Sequence, residues 1–180
     1  MLTGLSRACL TWPKPSWGIA LKPDALMLRV NVLGVTTGIR AALDVLKQTP
    51  GARIISMASS ACIYGVPEEA VYSASKFAVR ALTEALDLEL EPYGIRVSDI
   101  MPPVVRTPMV TNQTYEPGVN KNPSLWVTAE QVALVVWQAA HRYRTHWLTT
   151  REVRLLARLV GIVPGIGRAV MRRYSRHPAS

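Results

Sequence analysis

Tyr72 and Lys76 stand four residues apart in the run Tyr72-Ser73-Ala74-Ser75-Lys76. On a helix that spacing puts both side chains on one face. A phenol in water titrates near ~10, too high to trade protons efficiently around neutrality. An ammonium beside it favours the phenolate and brings that value down. The pair is therefore a tuned proton donor and acceptor. Ser59 precedes Tyr72 by thirteen residues and closes the run Arg53-Ile54-Ile55-Ser56-Met57-Ala58-Ser59. This run reads as a buried strand, and the carboxyl ends of parallel strands are where α/β proteins hold ligands. A hydroxyl there can hydrogen-bond a carbonyl oxygen while Tyr72 delivers the proton. Asn31 lies twenty-eight residues before Ser59. It falls inside an apolar helical pattern, where asparagine fits poorly and asks for a reason.

These residues need elements to position them. Residues 1–23 hold three prolines and two tryptophans without a period and read as an irregular segment. Residues 24–48 read as a helix, with Asp24 as its cap and Leu26, Val30, Leu33, Ile39, Leu43 and Leu46 near helical spacing. Pro50 and Gly51 stop it, the first strand follows, and Gly65 and Pro67 mark a loop over residues 60–70. Residues 72–91 read as a second helix. Its small-residue stripe is Ala74, Ala78, Ala81 and Ala85, and its polar positions are Glu84, Asp87, Glu89 and Glu91. Ile95–Met101 is a second strand, closed by Pro102 and Pro103. Residues 104–127 read as loop, and Thr128 caps a helix to about residue 141. A weak strand at 145–150 and helices near 151–160 and 166–175 complete the chain. Strand alternating with helix predicts an α/β fold with a parallel sheet.

In this order the motifs resemble those of the short-chain dehydrogenase/reductase family. Asn31, Ser59, Tyr72 and Lys76 match its catalytic tetrad in spacing, and Asn31-Val32-Leu33-Gly34 is similar to its asparagine-helix motif. Ile95-Arg96-Val97 followed by Pro102-Pro103-Val104-Val105-Arg106-Thr107 resembles its strand and cofactor loop, with Pro103 where the family usually has glycine. The likeness runs from about residue 24 to 110, then more loosely to 150. It implies a partial Rossmann-like, doubly wound parallel sheet, with NAD or NADP as cofactor and a small-molecule alcohol or carbonyl as substrate. Tyr72 would be the general acid/base. Lys76 would lower its pKa and hold the nicotinamide ribose, Ser59 would orient the substrate, and Asn31 would hold a water leading to Lys76. Pro102, Val105 and Thr107 would meet the nicotinamide end. The resemblance also implies a homo-oligomer, and a substrate-covering loop at residues 110–127. Only thirty residues precede Asn31, so residues 24–150 correspond to the family's catalytic half, without its glycine-rich turn. A second reading is a non-catalytic remnant that acts only by helix-mediated association. Cofactor binding separates the two.

The chain has 180 residues, 49% apolar and 18% charged, with a mean hydropathy of +0.14. That composition excludes a disordered chain. No uninterrupted apolar run reaches the ~20 residues of a membrane span. No signal peptide is evident, so the cytoplasm is the expected location. Cys9 and Cys62 are too few for a disulfide framework, and Cys62 reads as a packing residue. Residues 1–140 carry 12 Lys and Arg against 11 Asp and Glu, whereas residues 141–180 carry nine Arg against Glu152. Residues 151–180 thus form a basic amphipathic helical tail, a face for peripheral membrane contact. No nucleic-acid reader motif accompanies it. His141 and His146 lack the spacing and the acidic partner of a metal site. Gly161-Ile162-Val163-Pro164-Gly165-Ile166-Gly167 imitates a phosphate-binding turn, but no strand precedes it, so it reads as a break between two helices.

Overall fold

The computed structural model describes residues 21–107 and 126–174. Helix α1 (Leu21–Leu28) passes through a π turn at Arg29–Leu33 into α2 (Gly34–Lys47). Strand β1 (Arg53–Met57) leads into α3 (Ala70–Leu90) and then β2 (Arg96–Met101). Two short strands follow, β3 (Val105–Arg106) and β4 (Val127–Thr128), paired in parallel. Helix α4 (Ala129–His141) brings the chain to β5 (His146–Leu148), and α5 (Arg151–Ile162) and α6 (Pro164–Tyr174) end the described part.

The main sheet is parallel in the order β1-β2-β5. Central β2 is buried along nearly its whole length, as expected of a strand covered on both faces. Ile54 and Val97 pack with Leu90 and with Leu43 and Leu46 of α2. Ile100 and Trp147 pack on the opposite face against Val132 and Ala139 of α4. Helices on both faces of a parallel sheet make the doubly wound α/β arrangement expected from the order of elements.

Local signals were read correctly where the partners lie close in sequence. Thr128 caps α4, as expected, and does so in a reciprocal box with Gln131; the cap of α5, Thr150 accepting from Val153 N–H at 3.2 Å, was not anticipated. The glycine run is a helix break, as expected. Chain α5 stops at Ile162 and α6 opens at Pro164, where a missing N–H has no intrahelical partner to lose.

Several expectations need correction. Helix α1 starts at Leu21, so the irregular segment assigned to 1–23 ends earlier, and residues 1–20 lie outside the described residues. Asp24 sits within the first turn rather than at the cap. Helix Asp24–Lys47 is long and apolar enough, by length and composition, to cross a membrane, although no uninterrupted apolar run suggested one. The structure places one side of it in the helical layer over α3 and β1, with Ile39, Leu43 and Leu46 on the core. Asp87, assigned an outward polar position, is buried and accepts from Val97 N–H at 2.9 Å and from the Tyr143 hydroxyl. His146 has two acidic partners, not none. Its Nδ1 lies 3.1 Å from the buried Asp99 carboxylate and its Nε2 3.1 Å from Glu84. Glu84 in turn pairs with Arg80 at 2.8 Å.

The basic tail is partly docked on the core. Met171 of α6 is buried with Ala61 and Val66, and Tyr64, Tyr72 and Val170 pack around them. Gly167 makes this possible. A Cβ there would meet the Tyr64 ring, with Cγ only 2.8 Å away, so the helix and the ring touch only because the side chain is absent.

Two outcomes follow. Gly167→Ala forces the Tyr64 ring and α6 apart, lowering stability by about 1–3 kcal/mol in thermal unfolding. Tyr64→Ala in the same chain removes most of that loss. The hydrogen bond to Asp99 raises the pKa of His146 above its ordinary value, so folding favours the imidazolium. Its contribution is complete below the unfolded pKa of ~6.5 and fades as pH rises through the folded value. His146→Gln is therefore expected to lose about 1–3 kcal/mol near pH 6 and progressively less toward pH 9, measured by denaturant titration across that range.

Candidate active site

The N-terminal turns of α3 are held by hydrogen bonds on three sides. Ser73 N–H donates to Glu69 C=O at 2.8 Å, and the Ser73 hydroxyl accepts from Val66 N–H at 3.0 Å. Asn31 is buried in the π turn and donates from Nδ2 to Ser75 Oγ at 3.0 Å. Ser75 Oγ then donates to Tyr72 C=O at 2.7 Å. A π turn widens the helix by one residue and is a frequent device at functional sites. Here it accompanies an asparagine side chain that reaches across to α3 instead of solvent.

Lys76 is buried, 6% exposed. Its Nζ donates to Met57 C=O at 3.0 Å and lies 5.6 Å from the centre of the Tyr72 ring. The spacing argument is thus met: both side chains leave α3 on the side that faces the carboxyl end of β1. Ser59 follows β1 in extended backbone and caps a turn at Ser60–Cys62, its Oγ accepting from Ala61 N–H at 3.2 Å. Ala58 N–H donates to Ile100 C=O and Ser60 N–H to Pro102 C=O, both at 2.9 Å. These two bonds bring Ser59 beside Pro102 at the ends of β1 and β2.

Among the cofactor-loop residues, Pro102 is buried and Pro103 partly so. Val105 sits in β3 and packs on the cluster of Ile100, Val127 and Val132. Thr107 is partly buried at the end of the first described stretch. The loop expected over residues 110–127 lies mostly outside the described residues, including Tyr115, Pro117 and Pro123. Trp126 at its end is partly buried, and its indole Nε1 is buried without a hydrogen-bond partner among the described residues. Cys62 is a packing residue, as read. Its Sγ donates to Ser59 C=O at 2.8 Å, and burial pushes the thiol up to about 11.

The sequence reading passed over three contributors. Ser75 relays Asn31 to the Tyr72 backbone, although it stood inside the motif. The acceptor for Lys76 is a main-chain carbonyl, which no side-chain pattern announces. Glu69 directly precedes α3, and burial, with the neighbouring Glu68 charge, pushes its carboxyl up to about 7. Two acids in sequence before a helix, Glu68-Glu69, were the available signal.

The arrangement offers a phenol, an ammonium and the Ser59 hydroxyl by the ends of two parallel strands, donors suited to a carbonyl oxygen and to ribose hydroxyls. The described residues therefore fit the nicotinamide-ribose end of a dinucleotide. They include no glycine-rich turn between a strand and a helix that would hold its phosphates.

Comparison with known proteins agrees with this geometry. The family model described as short chain dehydrogenase matches residues 10–117. A 3-alpha-(or 20-beta)-hydroxysteroid dehydrogenase of Mycobacterium bovis is 45% identical over 83 residues, 46% of this chain and 32% of the relative. A cyclopentanol dehydrogenase of Comamonas testosteroni is 36% identical over 83 residues, 46% of this chain and 33% of the relative. The chain thus aligns with about a third of the length of these curated relatives. A solved short chain dehydrogenase of Burkholderia cenocepacia in complex with NADP superposes with a TM-score of 0.76 at 22% identity, covering 94% of this chain and 72% of that one. A short chain dehydrogenase/reductase of Burkholderia phymatum in complex with NAD gives a TM-score of 0.70 at 25% identity, covering 92% and 65%. The model match extends over more than half of the sequence, and with it this chain belongs to the short-chain dehydrogenase family.

Proposed function

We propose that this chain carries the proton-transfer half of an NAD- or NADP-dependent oxidoreductase acting on a small secondary alcohol or its carbonyl counterpart. The observation that carries the reading is the Tyr72–Lys76 pair, with a buried ammonium 5.6 Å from the phenol ring. The relatives' names, a hydroxysteroid dehydrogenase and a cyclopentanol dehydrogenase, support a secondary alcohol as the substrate class. The complexes of the structural neighbours with NADP and NAD support the cofactor.

The bound nicotinamide supplies or accepts the hydride. Tyr72 hands a proton to the carbonyl oxygen in reduction and takes it back in oxidation. Lys76, fixed by Met57 C=O, stabilises the phenolate and binds a ribose hydroxyl. Ser59 uses its hydroxyl proton to hold the substrate oxygen, since its lone pair already serves Ala61 N–H. Asn31 keeps α3 in place through Ser75. Pro102, Val105 and Thr107 line the nicotinamide end. The homo-oligomer belongs to the same reading, because α2 and α3 leave Val45, Phe77 and Leu88 exposed on their outer sides.

The test is made on the full-length protein, with NADH or NADPH and a panel of cyclic ketones, following nicotinamide absorbance. Tyr72→Phe is expected to lower kcat about 100- to 10,000-fold, the usual span for losing a general acid. Cofactor affinity, read by fluorescence titration, should change little. Unchanged kcat in Tyr72→Phe would remove Tyr72 from the chemistry. Absence of NADH and NADPH binding in the wild type would sink the oxidoreductase reading itself.

A further inference from the structure

A cavity of about 500 Å³ opens between α4, β5 and α5, and none of Asn31, Ser59, Tyr72 or Lys76 lines it. Arg142, Arg144, Arg154 and Arg158 all stand on its wall, and no carboxylate does among the described residues. We propose that this cleft is a binding site for a phosphate-bearing anion. The site is independent of the oxidoreductase reading.

Charge supplies the first argument. Two arginines outside the cleft are paired with acids, Arg80 with Glu84 and Arg96 with Glu91, each at 2.8 Å. The four cleft guanidinium groups have neither an ion pair nor a side-chain hydrogen bond among the described residues. The hydrogen bonds of Arg142 and Arg144 are made by the main chain: Arg142 N–H donates to Gln138 C=O, and the carbonyls of Arg142 and Arg144 accept from Arg53 and Ser98. Four like charges around one concavity repel one another, and an anion seated among them removes that repulsion. The planar guanidinium fork matches the oxygens of a phosphate, often with two parallel bonds.

Hydrogen bonding supplies the second, independent argument. Trp147 of β5 is 7% exposed, and its Nε1 is buried without a partner among the described residues. Thr149 Oγ1, two residues on, is buried and unpartnered in the same way. Both residues line the cleft. Buried polar atoms are nearly always satisfied in folded proteins. Arg144 lies over the Trp147 ring at 5.4 Å, so an aromatic face and a charge meet on the wall of the cleft. The volume suits a small organic ligand or headgroup, within the usual range for such sites.

The phosphate has two sources, a free metabolite or a lipid headgroup. Leu155, Leu159 and Ile162 are exposed on α5 at helical spacing, alternating with Arg154 and Arg158. That is the composition of a helix lying at a lipid surface.

The experiment uses the full chain with two probes. One is inorganic pyrophosphate, followed by calorimetry. The other is sedimentation with phosphatidylcholine vesicles, with and without phosphatidic acid. Saturable pyrophosphate binding that falls about tenfold in Arg144→Ser and in Arg158→Ser supports the site with a free ligand. Sedimentation that requires phosphatidic acid and is lost in the same variants, without pyrophosphate binding, supports it with a headgroup. Arg158→Lys, which keeps the charge and loses the fork, should fall between wild type and Arg158→Ser. Arg168→Ser, outside the cleft, should bind as the wild type does, and circular dichroism verifies the fold of each variant. Failure of both probes to bind overturns the proposal. So does binding that Arg144→Ser and Arg158→Ser weaken no more than Arg168→Ser.

Discussion

Helix α3 turns a polar face to the core, and its placement depends on directed hydrogen bonds. Ser73, Ser75, Lys76, Thr83 and Asp87 are all buried on it. Apolar faces tolerate sliding and rotation, because the hydrophobic effect has no direction. Buried polar atoms do not, since losing a partner costs the full desolvation of the group, about 1–3 kcal/mol. Thr83 bonds back to Val79 C=O of the same helix, and the other four have partners elsewhere: Val66 N–H for Ser73, Asn31 for Ser75, Met57 C=O for Lys76, and Val97 N–H for Asp87. These partners lie on a loop, the π turn and both neighbouring strands. Together they set the rotation and height of α3 against the sheet, and hence where the Tyr72 phenol can go.

The same logic governs the far end of the helix. Asp99 faces α3 from the middle of β2 with no exposure to solvent, and desolvation pushes its pKa up. His146 offsets part of that cost by bonding both carboxylate oxygens, and Glu84 and Arg80 carry the chain of charges to the surface. This ladder couples β5, the outer strand of the order β1-β2-β5, to α3 and the interior. A three-residue strand has little ladder of its own, so such cross-links matter to its place in the sheet.

Much of this was legible in the sequence wherever cause and effect lie within a few residues. The Tyr72–Lys76 spacing, the Thr128 cap and the break at Pro164 are local and were read directly. The alternation of strand and helix was enough for the α/β class. What could not be read depends on partners chosen by the fold. Asp87 looks like any outward acid on an amphipathic helix until β2 delivers Val97 N–H to it. His146 meets Asp99 only because β2 and β5 pair in parallel with those residues opposite each other. Gly167 looked like half of a phosphate turn, and its reason is the Tyr64 ring, about a hundred residues away in sequence. The buried side of α3 was not legible either, because a core-facing row of serine, threonine and aspartate resembles a solvated one.

The π turn at Arg29–Leu33 has a meaning for phase. One residue more than a regular helical path advances the backbone by about 100°. The inward positions Met27, Asn31, Val35, Ile39, Leu43 and Leu46 would drift round a regular helix, and the extra residue brings them back to one side. Met27 is buried on one side of the turn and Ile39, Leu43 and Leu46 pack on the other. An uninterrupted helix would have to choose which of these to satisfy. The extra residue acts as a clutch between two amphipathic cylinders, keeping both inner faces on one side, with Asn31 at the slip point.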